Sequence, residues 1–175
     1  MADDTANTKQ EKLAEFQKLV DDFDLAMLVT KAVDGAIVSR MMATQERRAD
    51  VDMWFVTTAD DEKVAEIQAM PEVNISYVNN RSRDWVSVSG TAIINQDRAT
   101  IRALYQPDWK TWFPDEGGDR NGGPEDPRIA LIFVDAHRVT YFRNTDSKPV
   151  ALFKILRARA TGTSPDFGQT KVITK

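Results

Sequence analysis

Val38-Ser-Arg-Met-Met-Ala-Thr44 and Met53-Trp-Phe-Val-Thr-Thr-Ala-Asp-Asp-Glu-Lys63 are two strand-like runs that end in groups able to hold an anion. Arg40 lies inside the first run, Thr57 and Thr58 close the second, and Lys63 falls in the opening turn of the helix that follows. Arginine supplies a planar fork of donors, lysine a point charge, and a helix start free backbone N–H groups. Met41, Met42, Phe55 and Val56 put apolar surface beside them. Charge at one end and flat apolar walls at the other suit a nucleotide-like cofactor.

Outward from this pair, Asp34-Gly35 between apolar runs at 25–31 and 36–42 is a hairpin signal. A third strand is expected over 52–58, after which Asp60 or Asp61 caps a short helix stopped by Pro71. Val73, Ile75 and Tyr77 alternate with polar residues, as do Val86, Val88, Ala92 and Ile94, with Gly90 marking a bulge. Residues 97–105 read as helix, 108–113 as one more helical turn, and the glycine- and proline-rich 115–127 as a loop. The apolar run 129–134 reads as a central strand, with 139–143 returning beside it as the last strand.

Upstream, Thr8-x-x-Glu11 is a capping box opening a helix whose Leu13, Phe16, Leu19, Val20 and Phe23 share one face. Residues 150–158 read as a final short helix. About seven strands joined mostly as neighbours favour an antiparallel barrel or curled sheet over a doubly wound fold.

The 175 residues, 29% charged and 42% hydrophobic, suit one domain with a core of its own. A net charge of −4 gives no basic field for nucleic acid. With no cysteine there is no disulfide, thiol nucleophile or Cys-ligated metal. No stretch reaches membrane-spanning length and the first residues lack a signal-peptide pattern, so a cytoplasmic protein is expected.

Ser39-Arg-Met-Met-Ala-Thr44, Trp54-Phe-Val-Thr-Thr58 with Lys63, and Val73-Asn-Ile-Ser-Tyr77 occur in sequence with three further pieces. These are Val86-Ser-Val-Ser-Gly-Thr-Ala92, Trp109-Lys-Thr-Trp-Phe-Pro114 and Leu152-Phe-Lys154. In order and spacing, over about residues 13–162, the set resembles the general stress protein branch of the pyridoxamine 5′-phosphate oxidase-related flavin-binding proteins. The resemblance implies an α+β, mainly antiparallel fold: an FMN-binding split β-barrel, Greek-key-like, with peripheral helices. It implies a homodimer with FMN in two clefts at the subunit interface.

By that resemblance Arg40, Thr57 and Lys63 hold the FMN phosphate, with Thr58 where relatives carry serine. Met41, Met42 and Ala43 offer backbone groups along the isoalloxazine edge, and Phe55 and Val56 precede the phosphate turn. Trp112 reaches over the pocket of the second subunit, and Trp85 occupies a position near the ring in relatives. One domain is expected over 1–162, with 163–175 as a flexible tail.

The Arg-x-His element and the Arg-Leu-x-Pro ending that true pyridoxamine phosphate oxidases use on substrate are absent. The implied function is therefore a flavin-dependent oxidoreductase acting on an unidentified small molecule. Three alternatives are a flavin-binding storage or stress protein without turnover, the vitamin B6 oxidase itself, and a dimeric scaffold whose cleft holds another phosphate compound or nothing. No side-chain acid or base stands out. His137, the one histidine, reads as a turn residue and cannot build a typical zinc site. Gly117-Gly118 and Gly122-Gly123 lack the lysine of a phosphate-cradling loop and read as flexible. Trp109 and Trp112, three apart, are expected to face one side of a helical turn.

Overall fold

The computed structural model describes residues 18, 20, 21, 23–46, 48, 51–143 and 170–174. The capping box, most of the first helix and the helix expected at 150–158 lie outside the described residues. Among the described residues seven strands form one antiparallel sheet: β1 (Leu25–Lys31), β2 (Ile37–Ala43), β3 (Met53–Thr58), β4 (Glu72–Val78), β5 (Trp85–Asn95), β6 (Ile129–Phe142) and β7 (Lys171–Thr174). The sheet is accompanied, among the described residues, by helices α1 (Glu62–Ala69) and α2 (Arg98–Leu104) and a 3₁₀ turn at Pro107–Thr111.

The strand order is β2-β1-β4-β5-β6-β3, with β7 also on β6. The end strands β2 and β3 approach one another without hydrogen-bonding, so the sheet curls into a barrel that stays split along that seam. The β1–β2 turn follows its sequence: Gly35 takes φ +90°, Asp34 Oδ1 accepts the Ala36 N–H, and Gly35 N–H donates to Ala32 O.

Strand β6 departs from expectation. Residues 129–134 and 139–143 are not two strands around a turn at His137; they lie in one 14-residue strand. β5 pairs along its whole length, and a register shift at Ser89/Gly90 absorbs the irregularity. Gly90 is required there, because a Cβ would collide with the Asp135 carbonyl. On the other edge of β6, β3 occupies Ile129 to Val134 and β7 occupies Arg138 to Tyr141. Between them Asp52 Oδ2 accepts the Ala136 N–H at 2.7 Å. Residues 171–174, expected in a flexible tail, are thus part of the sheet.

The run 129–134 is apolar throughout because it is buried on both faces. Ile132 and Val134 enter the barrel core with Leu28, Phe55, Ile75 and Val88. Ile129 and Leu131 enter a second core with Trp54, Ile101, Trp109 and Phe113 beneath α2 and the 3₁₀ turn. Trp109 and Trp112 do not share a face: Trp109 is 3% exposed and Trp112 is 75% exposed. The 3₁₀ turn ends at Thr111, and Phe113 takes the next inward position.

The loop 115–127 is pinned rather than loose. Asp126, fully buried, accepts N–H groups from Gly122 and Arg128 and side-chain bonds from Arg128. Arg128 also reaches Glu116 Oε1 and the Pro114 carbonyl, each at 2.8 Å. His137 is an exposed strand residue whose Nε2 lies 3.2 Å from Thr91 Oγ1.

Candidate functional site

Asp61 caps α1, accepting the Lys63 N–H at 3.1 Å, and so fixes the first turn against the end of β3. Lys63 is buried. Its Nζ donates to Thr57 Oγ1 at 3.0 Å and to Asp61 Oδ2. Three residues on, Glu66 lies on the same face of α1, buried, and accepts Thr30 Oγ1 at 2.5 Å. Arg40, on the inward face of β2 with Val38 and Met42, donates Nη2 to Glu66 Oε2 at 2.8 Å and Nη1 to Thr30 Oγ1. Strands β1, β2 and β3 and one helix thus converge on six polar side chains at one end of the barrel.

The charges there balance, with Arg40 and Lys63 against Asp61 and Glu66. Burial pushes the Asp61 carboxyl up, but the bonds from Lys63 and the nearby Arg40 charge outweigh it and hold it below the ordinary value. Donor capacity is left over. Arg40 has five N–H groups and Lys63 three, and each uses two in these bonds. Thr57 accepts from Lys63, so its own O–H proton remains to be donated.

The open edge of β2 lies beside this cradle. Thr44 N–H donates to Asp24 O and Ala32 N–H to Ala36 O, which sets the alternation of the β1–β2 ladder. The backbone of Met42 therefore faces Ala26, while Ser39, Met41 and Ala43 turn theirs away from β1. Of the three residues expected to offer backbone groups, Met41 and Ala43 present theirs at this open edge, while Met42 does not and its side chain is in the barrel core. Ala43 O already accepts Gln45 Nε2 at 3.3 Å.

Phe55 is 1% exposed inside the barrel, so it positions Thr57 rather than walling a cleft. Val56, on the other face, packs against the second core. Thr58 is half-buried, and its carbonyl accepts the Asp61 N–H at 3.1 Å. Trp112 stands apart, on the surface beyond the 3₁₀ turn.

Thr30 and Glu66 were not singled out from the sequence. The signal for Glu66 was a carboxylate on the buried face of a short helix beside Val64 and Ile67, where an apolar residue is the norm. Among the described residues no group of acids and histidine is placed to hold a metal ion. None of the described helices is long and apolar enough to cross a membrane.

The family model for pyridoxamine 5′-phosphate oxidase-like proteins matches residues 11–166. Protein bli-3 of Neurospora crassa is 34% identical over 151 residues, covering 83% of this chain and 72% of its own. A solved structure of the general stress FMN/FAD binding protein from Xanthomonas citri superposes with a TM-score of 0.60 at 24% identity, over 80% of this chain and 93% of that one. A Clostridium acetobutylicum protein related to general stress protein 26 superposes with a TM-score of 0.63 at 19% identity, over 79% and 93%. The split barrel is thus a fold shared with these structures.

Proposed function

The chain belongs to the pyridoxamine 5′-phosphate oxidase-like family, and from that premise we propose that it binds FMN and acts as a flavin-dependent oxidoreductase on a small molecule. The observation that carries the reading is the convergence of Arg40, Thr57 and Lys63 at the capped start of α1, beside the open edge of β2. A phosphate carries about −1.5 to −2 charge at neutral pH and takes charge-assisted bonds from such donors. The spare N–H groups of Arg40 and Lys63 and the Thr57 proton fit it. Asp61 and Glu66 keep the two cations oriented and compensated until the anion competes for them.

Bound FMN supplies the redox chemistry at its ring system. This chain's part is to bind and orient it, with Met41 and Ala43 presenting backbone groups along β2 and Arg40 anchoring the far end. In this reading Trp112 covers a flavin held by a second copy, a role suited to an indole that its own protomer leaves exposed.

A homodimer is supported by the outer face of the sheet. Leu25, Met27, Met41 and Val78 are exposed there, with Met27 opposite Met41. Burying such a patch against its own copy is the commonest isologous solution.

An absorbance spectrum of the purified protein with and without added FMN, alongside sedimentation, tests the reading. A dimer that acquires a perturbed flavin spectrum is expected. A protein that never changes the spectrum of FMN at micromolar concentrations ends it.

A further inference from the structure

The cradle is rich in charge but carries no surplus of cation. Arg40 Nη2 lies 2.8 Å from Glu66 Oε2, and Lys63 Nζ is bonded to Asp61 Oδ2, so each base already has its acid. Burial raises the Asp61 carboxyl by less than Lys63 and Arg40 lower it, which leaves it ionised at neutral pH. Glu66 is 6% exposed, so solvent does little to screen it. Asp60 and Glu62, both exposed, flank the cap and add negative charge on either side. The whole chain carries −4, which draws no anion from solution.

Neither acid is demanded by the local structure. Asparagine caps a helix as well as aspartate does, and an apolar side chain is the norm at the buried position of Glu66 beside Val64 and Ile67. Both acids act against an incoming phosphate. Once the spare N–H groups are used, every further bond the anion takes from Arg40 or Lys63 is taken from Glu66 or Asp61. The displaced carboxylate then remains beside it as a like charge.

We propose that Glu66 and Asp61 hold the affinity of this cradle down, so that FMN is a dissociable co-substrate of this chain rather than a resident group. The inference rests on assigning the cradle to the FMN phosphate, and it adds how long the flavin stays. With a micromolar Kd and an ordinary association rate of about 10⁶ M⁻¹s⁻¹, FMN leaves at about 1 per second.

Fluorescence titration and stopped-flow release of FMN from the full chain test it, with riboflavin as the phosphate-free probe. Native protein should be purified free of flavin, bind FMN in the micromolar range and release it within seconds. Its affinity should not fall when salt is raised from about 0.05 to 0.3 M, because a neutral cradle has no net attraction to screen. Glu66→Gln and Asp61→Asn should each tighten FMN several-fold through slower release, leave riboflavin unchanged and make FMN binding weaken with salt. Asp61→Asn keeps the helix cap at a side chain that is 38% exposed, so the test stands even if Glu66→Gln folds poorly. Native protein that retains FMN through purification, release over minutes to hours, or an Asp61→Asn variant that binds no tighter overturns the proposal and leaves the flavin reading intact. Failure of the native protein and both variants to bind FMN overturns the two together.

Discussion

Glu66 Oε2 accepts Nη2 of Arg40 at 2.8 Å, which places a buried carboxylate inside the cradle that a phosphate is proposed to enter. The same oxygen takes the Thr30 hydroxyl at 2.5 Å. Glu66 therefore holds the guanidinium in position and also competes with an incoming anion for it. Glu66→Gln keeps an acceptor and removes the charge. FMN should bind several-fold tighter while riboflavin is unchanged, and stability should fall by about 2 kcal/mol. Flavin titrations and thermal unfolding read both effects. An equal gain for riboflavin would refute the electrostatic account.

FMN should bind more tightly than riboflavin, since Arg40, Thr57 and Lys63 all act on the phosphate. Arg40→Ala should weaken FMN more than Lys63→Ala, because a planar fork is lost rather than a point charge. It should also cost more stability, on the order of 3 kcal/mol, by leaving buried Glu66 without its cation. The carboxylate stranded by Lys63→Ala is that of Asp61, whose side chain is 38% exposed, and water compensates it. Equal affinity for the two flavins in the native protein would remove the phosphate from the assignment.

Trp112→Ala should leave the flavin-free protein within about 0.5 kcal/mol of native stability, since the side chain is exposed. If its indole covers a flavin in a second copy, FMN affinity and the thermal stabilisation FMN gives should both drop. A variant that stays dimeric and binds FMN normally would reject the role given to Trp112.

Asp126 is expected to contribute to acid stability. Hydrogen bonds from Arg128 outweigh its burial and, with the Gly122 and Arg128 N–H groups, hold it at about 2. A folded value below the unfolded 3.8 means its contribution is complete above pH 3.8 and is lost as pH falls toward 2. Asp126→Asn should lower stability at neutral pH by roughly 3 kcal/mol and flatten the decline between those values. Urea unfolding at pH 6 and pH 3 would show the two curves converging. Parallel loss in both proteins would point to other carboxylates.

Oxidation of pyridoxine 5′-phosphate should be negligible even with FMN present. The motifs that act on that substrate are absent from the sequence, and residues 171–174 are engaged as β7 against β6. Steady-state formation of pyridoxal 5′-phosphate would show that other residues replace them.

What the sequence disclosed was what short-range chemistry decides. The Asp34-Gly35 turn, the Asp61 cap and the Gly90 bulge each follow from one or two residues and their neighbours. Asp135-Ala-His-Arg138 interrupts the apolar pattern, yet strand β6 runs through it because β5 supplies backbone partners whatever the side chains are. A helical turn running to Phe113 would put Trp112 beside Trp109, but the 3₁₀ turn ends at Thr111. Arg40 was recognisable as an anion ligand, but its partners Thr30 and Glu66 come from other elements. Only the closed barrel brings those together.

That closure depends on β3, whose ladder partner is β6: Met53 meets Val134, and Thr58 meets Ile129. The β1–β2 and β4–β5 hairpins can form from near neighbours, but this seam joins segments far apart in sequence, and loop-closure entropy delays such contacts. Thr57 and the capped start of α1 hang from the end of that late strand. The anion cradle is consequently expected among the last parts of the chain to assemble, and a ligand that needs it would report completed folding. During refolding, quenching of FMN fluorescence should trail the burial of the barrel tyrosines.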